Sequence, residues 1–579
     1  MRPKATDNKV SFNIPRLRLW YGFLLVVFTI FLVRLFYLQV IRHEYYQGVA
    51  LSGQLKEYDI QPQRGVIVAQ DGNQEVPIVL NEEVFTVFAD PVYIKDVGDT
   101  AKKLSDIIGG DQDAYKKQMK SDTRYAVLAK KVAKDKAVKI DDLKIKGLGT
   151  RAVSQRVYPQ GGLAAQLLGF VDDEGNGKYG IEQFADTELK GTAGKLKAIT
   201  DARGVPLVAN KDNVLIEPQD GKRVALTVDI SMQRRLEETL KNHLAEVKSQ
   251  AGSIVVMDPN TGEIKAMANY PTYNPADFSK VEDPKVYTNG AVSEPIEVGS
   301  IMKTLTIAAG LNEGVINKNT TYADPGYYKI GDATVKNVEE DGGASTRSIS
   351  DILRYSLNTG ATYVLMQLGG GKINEKGRVV WNDYLTNHYM FGKKTGVEQG
   401  YESPGYVPSP TDGYGLDIQY ANTSFGQGLN ITPVQMLAAF SSTINGGTYY
   451  RPHLVKDDKD AKSNIVKTDV LKPEVSEMMR GLHESTVATN YTFLKHNGYR
   501  IGGKTGTAQI PKPGGGYYDD RYNGTFIGYV GGDKPEYAII VTVIEPKIGG
   551  YAGRATAAPL FSKTVDMLIG NYAVNKVSQ

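Results

Sequence analysis

No cysteine occurs anywhere in the 579 residues, which removes disulfides, thiol nucleophiles and thiolate zinc sites together and leaves the redox compartment open. Histidine is scarce as well. The six histidines form no His-x-x-x-His pair and none stands beside the motifs described below, so neither a metal site nor a Ser-His-Asp triad is suggested. A surplus of one charge is also missing: 68 Lys and Arg against 65 Asp and Glu leave +3, too little to argue for nucleic acid. The length exceeds one ordinary domain and suggests about two to four.

What is present begins with a long apolar run. Met1 to Arg18 carries Arg2, Lys4, Lys9, Arg16 and Arg18 against Asp7 alone, and Leu19 to Leu38 then holds a single charge, Arg34, with Trp20, Tyr21 and Tyr37 near its ends. Twenty residues of helix rise about 30 Å, enough to cross a bilayer. The basic flank stays inside, which puts the remainder outside. No small-residue cleavage site follows the run, so an uncleaved anchor is expected rather than a signal peptide: a cytoplasmic tail over 1–18 and a transmembrane helix over 19–40.

The chemistry is concentrated in Val298-Gly299-Ser300-Ile301-Met302-Lys303, which leads into the Ala- and Leu-rich segment Thr304 to Leu311. A Ser and a Lys three apart share one helix face, so the Lys303 amine can reach the Ser300 hydroxyl. A serine needs a base to become a nucleophile, and a lysine desolvated at a helix start can be neutral enough to serve. The spacing alone proves little, because Ser300 as an N-cap and Lys303 as a solvated charge would give the same pattern. Ser-x-x-Lys occurs once in the chain.

Ser356-Leu357-Asn358 and Lys504-Thr505-Gly506-Thr507 follow in order. With this trio the chain resembles the penicillin-binding proteins. The resemblance implies that Ser300 is the nucleophile and Lys303 its base, that Ser356 relays a proton toward the leaving amine, and that Asn358 hydrogen-bonds Lys303 and the substrate peptide. An edge strand carrying Lys504 would offer backbone groups to an extended peptide, with Gly506 permitting close approach. Lys504, Thr505 and Thr507 would hold a carboxylate, and the backbone N–H groups of Ser300 and Thr507 the oxyanion. Leu357 stands where the family often has a small residue, and its side chain is expected to pack away from the cleft. A second Lys-Thr-Gly, at Lys394, opens the Gly-, Pro- and Tyr-rich stretch to Gly415 and is assigned to a loop.

Ile41 to Pro218 mixes short β-rich pieces, such as Val66 to Ala69 and Val84 to Phe88, with charged helical stretches. Gln63 to Ile67 and Tyr179 to Gly194 resemble the pedestal motifs of class B penicillin-binding proteins, with Arg64 and Glu182 as a structural ion pair. Beyond Gly221 come a strand at Val224 to Val228, a helix at Ser231 to Val247, and a hairpin of Ser253 to Met257 and Glu263 to Asn269. Ile349 to Tyr355 and Ala361 to Leu368 read as helices, with Ser356 to Gly360 as the break between them. The remaining strands lie far downstream, in the Lys504 segment, Thr525 to Val530 and Tyr537 to Ile544, before a closing helix at Thr556 to Leu568. Strands at both ends with helices between imply an α+β domain, an antiparallel sheet covered by helices. The expected architecture is one transmembrane helix, an elongated mixed α/β pedestal over 41–220 and a penicillin-recognising transpeptidase domain over 221–579. Phe425 to Gly428, Thr432-Pro433 with Gln435, and Arg451-Pro452 fit the resemblance as scaffold of the cleft floor.

The resemblance implies a single-pass protein of the cytoplasmic (inner) membrane with its catalytic domain outside, a D,D-transpeptidase that cross-links peptidoglycan stem peptides ending in D-Ala-D-Ala through a serine acyl-enzyme. β-Lactams would acylate the same serine. Division-type, septal members are the most similar, which implies a polytopic glycosyltransferase and other divisome proteins as partners. No cofactor and no metal are implied. The rival readings of the same motifs are a D,D-carboxypeptidase or β-lactamase, in which water deacylates, and a non-enzymatic β-lactam sensor or division scaffold.

Overall fold

The computed structural model describes residues 14–46, 55–199, 214–337, 343–456 and 461–578. It divides into two compact units, 1–62 with 191–220, and 63–190 with 221–579. One break between the units falls at 220/221, where composition changes, while 63–190 is grouped with 221–579. Arg2, Lys4, Asp7 and Lys9 of the basic tail lie outside the described residues.

In the smaller unit the N-terminal helix runs over Ile14–Phe36, starting inside the expected tail. A π-helical turn, Tyr37–Ile41, continues it, and Arg18–Ile41, 24 residues, is long and apolar enough to cross a membrane. The charge within it is accommodated locally, the Arg34 guanidinium standing 5.5 Å from the Tyr37 ring centre. The same unit holds an antiparallel sheet in which Gly194–Ile199 is flanked by Leu55–Ile60 and Val214–Ile216.

The larger unit contains two five-stranded sheets. The first joins β1 (Ile67–Asp71), β2 (Gln74–Ala89), β3 (Ala126–Val132) and β4 (Leu148–Val157) to β5 (Val224–Asp229), which pairs in parallel with β1. This pairing explains why 63–190 and 221–579 form one unit: a strand that sequence reasoning assigned to the C-terminal domain closes the N-terminal sheet. The expected ion pair is present and is larger than expected. Arg64 Nε donates to Glu182 Oε2 at 2.8 Å and its Nη1 to Asp186 at 2.7 Å, while Arg156 Nε donates to Glu182 Oε1 at 2.7 Å. Glu182 is completely buried.

The second sheet carries the site. Its strands are β6 (Ala251–Met257), β7 (Ile264–Tyr270), β8 (Arg500–Pro511), β9 (Tyr517–Gly531) and β10 (Pro535–Ile544), in the order β7-β6-β10-β9-β8. Every pairing is antiparallel, as the α+β reading expects. Both faces are buried, which is why its central strands read as continuous apolar runs rather than alternating ones. Ile254, Val256, Val541 and Phe526 pack with α1 (Ile230–Glu246) and α7 (Ala558–Asn571) on one side. Val255, Ile540 and Ile527 meet a larger core on the other, with α2 (Lys303–Asn312), α3 (Ile349–Arg354), α4 (Asn358–Leu368), α5 (Pro433–Ser442) and part of α6 (Pro473–Asn490).

Candidate active site

Ser300 sits on a 3₁₀ turn, Gly299–Met302, that passes directly into α2, whose first residue is Lys303. A 3₁₀ turn has three residues per turn, so positions i and i+3 eclipse and the lysine lies directly over the serine. Lys303 Nζ donates to Ser300 Oγ at 2.9 Å. The lysine has no exposed surface.

The second motif meets it from the other side. The break between α3 and α4 is shorter than expected, since Asn358, Thr359 and Gly360 already belong to α4 and only Tyr355 to Leu357 separate the helices. Ser356 takes a left-handed conformation, φ 57°, unusual for a residue with a Cβ and typical of functional sites. That backbone turns both its carbonyl and its hydroxyl to Lys303, which donates to Ser356 O and, at 3.2 Å, to Ser356 Oγ. Leu357 is fully buried, as expected. Asn358 Nδ2 donates to the Lys336 carbonyl at 3.1 Å, a different partner from the Lys303 amine expected for it.

β8 brings the third motif to the same hydroxyl. Lys504 Nζ donates to Ser356 Oγ at 3.1 Å and to Thr505 O at 2.9 Å, and it too is buried. Two lysines therefore converge on one serine hydroxyl. Strand alternation sends Lys504 and Gly506 to the face that meets α2 and sends Thr505 and Thr507 to the opposite one. Thr505 Oγ1 lies 2.8 Å from the Tyr491 hydroxyl, and Thr507 Oγ1 accepts from Gly553 N at 2.9 Å, which leaves the Thr507 O–H free to donate. Gly506 is required by packing: a Cβ there would lie 2.6 Å from Val298 O and 2.3 Å from Thr525 Oγ1. β8 can lie against the nucleophile turn only because that side chain is missing.

The turn is held from below by the Phe425–Gly428 segment. Gly299 N donates to Gly426 O at 3.0 Å, and a Cβ on Gly426 would stand 2.0 Å from Gly299 O. Glu297, buried three residues before the nucleophile, accepts from Gly428 N and from the Tyr517 hydroxyl, both at 2.9 Å. Burial raises its carboxyl above the usual range, against the lowering by these two donors. The other Lys-Thr-Gly is a loop, as assigned, with Thr395 N–H and Gly396 N–H donating to the Glu402 carboxylate.

Sequence reasoning missed Tyr491, Tyr517 and Glu297, none of which lies in a motif, and it set the histidines aside. One of them, His483, is buried behind β8 near Lys504. Its place on α6, between Leu482 and Glu484, gave no signal. Among the described residues no group of three His, Cys, Asp or Glu side chains could hold a metal ion.

The family profile described as the penicillin binding protein transpeptidase domain matches residues 252–566, and that of the penicillin-binding protein dimerisation domain matches 59–226. Stage V sporulation protein D of Bacillus subtilis is 32% identical over 551 residues, covering 92% of this chain and 82% of that protein. Peptidoglycan D,D-transpeptidase FtsI of Escherichia coli strain K12 is 28% identical over 572 residues, covering 97% and 92%. Penicillin Binding Protein 2X from Streptococcus thermophilus shares the fold, with a TM-score of 0.71 at 24% identity over 90% of this chain and 83% of that one. The chain belongs to the penicillin-binding protein transpeptidases, and within them to the class B members.

Proposed function

We propose that this protein is a membrane-anchored, septal-type D,D-transpeptidase acting through a serine acyl-enzyme. The observation that carries the reading is the Lys303 amine lying between two hydroxyls, 2.9 Å from Ser300 Oγ and 3.2 Å from Ser356 Oγ. Lys303 takes the Ser300 proton as Ser300 Oγ attacks the carbonyl of a D-Ala-D-Ala terminus. The backbone N–H groups of Ser300 and Thr507 hold the oxyanion. Ser356, hydrogen-bonded to both lysines, then passes a proton to the leaving D-alanine amine. Lys504 from one face of the edge strand, and the Thr505 and Thr507 hydroxyls from the other, are offered to the terminal carboxylate, Gly506 lets β8 lie against the nucleophile turn so that a peptide along its open edge meets Ser300, and Asn358 contacts the peptide from α4. An amine of a neighbouring strand then attacks the acyl-enzyme and releases Ser300. β-Lactams acylate the same serine.

Purified protein supplied with a donor strand and an acceptor amine should yield dimeric muropeptides by mass spectrometry. Loss of terminal D-alanine without dimers would mean that water deacylates, a carboxypeptidase. Neither product, from a protein that penicillin still labels, would leave only a sensor or scaffold.

The membrane reading rests on the basic tail and on the apolar helix, and it puts the chain from about Ile41 outside the cytoplasmic membrane. Partners would be a polytopic glycosyltransferase and other division proteins. Protease added to spheroplasts should degrade everything beyond the helix; a fully protected chain would overturn the orientation.

A further inference from the structure

Six aromatic rings meet on the larger unit, outside the catalytic cleft. Phe170 stacks on Phe278 with ring centres 4.4 Å apart, and Tyr273 and Tyr287 lie 6.2 and 5.0 Å from the same ring. Tyr179 lies 5.3 Å from Tyr287, and Tyr401 in turn 5.1 Å from Tyr179. The series runs from core to solvent: Tyr273 is 6% exposed and Tyr401 60%. The inner hydroxyls are tied down, Tyr287 to Phe278 O at 2.6 Å and Tyr273 to Ala165 O at 3.1 Å. The outer two rings carry backbone strain. Tyr179 has φ 58° and ψ 173°, a region otherwise left to glycine, and Tyr401 has φ 60°. A turn alone would be served better by glycine at either place. Gln183 fixes both loops, since its Oε1 accepts from Tyr179 N at 2.8 Å and would lie 2.4 Å from a Cβ on Gly400. Both strained positions hold tyrosine, and the rings meet.

We propose that Tyr401, backed by Tyr179, is a stacking subsite for the glycan strand that carries the stem peptide, a polymer of β-linked amino sugars. The identity of the polymer rests on the transpeptidase reading given above. The axial C–H bonds of a pyranose carry slight positive charge and suit the negative face of an aromatic ring, while its hydroxyls stay in water. An open tyrosine or two, at roughly 150–250 Å² a ring, fits a sugar; a stable protein interface takes about 800 Å² a side. The charges at the rim are paired, Lys178 with Asp172 and Lys280 with Asp277, so no surplus sign recruits a lipid headgroup. The same loop leads to the cleft. Tyr406, also half exposed, exchanges backbone hydrogen bonds with Asn430 at 2.7 and 3.0 Å, and Gly428, two residues before Asn430, donates to Glu297 beside the nucleophile turn. Five residues of extended chain reach at most about 18 Å, so Tyr401 stands close to that approach. A strand held there keeps its attached peptide at a raised local concentration near β8.

The test uses the full chain in detergent and glycan strands stripped of their stem peptides by an amidase, so that the cleft has no peptide to hold. Affinity is measured for the parent, Tyr401→Leu and Tyr401→Phe, with amylose as a sugar polymer of different linkage, and each protein is melted and labelled with fluorescent penicillin. The parent should bind the stripped strands and not amylose. Leucine keeps apolar bulk without a ring face and should weaken binding roughly three- to tenfold, whereas phenylalanine should hold it within about twofold. Penicillin labelling should be equal in all three, because Tyr401 takes no part in acylation. A parent that does not bind the stripped strands, a parent that binds amylose as well, or a folded Tyr401→Leu protein that binds like the parent would overturn the proposal. A parent that binds the strands but that penicillin does not acylate would place the failure in the Ser300 reading instead.

Discussion

A Ser300→Ala protein should take up no fluorescent penicillin while melting close to the parent, because deleting one hydroxyl leaves no large cavity. Persistent labelling of the folded variant would put the nucleophile elsewhere. The informative companion is Lys303→Arg. Arginine keeps the charge but cannot give up its proton at any pH the protein survives. If Lys303 is the base, acylation should fall by roughly a hundred- to ten-thousand-fold, the usual contribution of general-base catalysis. If Lys303 only holds Ser356 by its charge, arginine should preserve much of the rate. The complete burial of the Lys303 amine, which disfavours its charged form, favours the first outcome. A guanidinium is larger, so melting must show a native-like fold before the rate is read. A stable Lys303→Arg protein acylated within a few-fold of the parent would sink the base assignment.

The largest effect on stability should come from a residue far from the chemistry. Glu182 is completely buried and takes one arginine on each carboxylate oxygen, Arg64 on Oε2 and Arg156 on Oε1. Removing its charge leaves the buried Arg156 without its carboxylate and Arg64 with Asp186 alone. Breaking one such pair typically costs about 3–5 kcal/mol, which for a unit of this size lowers Tm by roughly 3–5 °C in Glu182→Gln. The loss belongs to orphaned charge rather than to lost attraction, and this can be separated. The triple variant Arg64→Leu, Arg156→Leu, Glu182→Leu should recover part of it, because apolar replacement of buried ion pairs is often neutral, and Asp186, which then loses Arg64, is partly exposed and keeps its bond from Gly177 N–H. A single Glu182→Gln variant as stable as the parent would show that the arginines find other partners.

The parts of the site that were legible in the sequence are those in which chemistry and spacing coincide within a few residues. Ser300 with Lys303, and the order of Ser356 and Lys504 behind them, needed no knowledge of the fold. The arginine-glutamate pair of the N-terminal region was legible by resemblance, but Asp186 and Arg156 were not, since nothing local marks a residue as the second ligand of a buried carboxylate. Asn358 shows a different limit. Its motif gives it a role toward the peptide, but nothing local shows that it opens α4 or that its amide meets the Lys336 carbonyl, 22 positions away. Tyr491, just past α6, and Tyr517, on β9, reach the site only through long-range packing, and Glu297, though three residues before Ser300, meets its partners Gly428 and Tyr517 only in the fold. The pairing of β5 was hidden for the same reason: in sequence it looks like the start of a new domain, and only the fold shows that it lies beside β1 of the N-terminal sheet.

The strand order of the catalytic sheet has a consequence for the making of the protein. Its centre joins β6 to β10, so that Ser253 bonds Thr542 across 289 residues of chain. Loop closure on that scale is slow, and it cannot begin until nearly the whole polypeptide has been synthesised. The first hairpin, β6 with β7, must wait with one edge unpaired while the intervening helices emerge. If the chain is threaded across a membrane, the sheet can close only on the far side, after its last strands have passed. Lys504 would then meet Ser300 last, and an acylating cleft would not exist on the side where the chain is made.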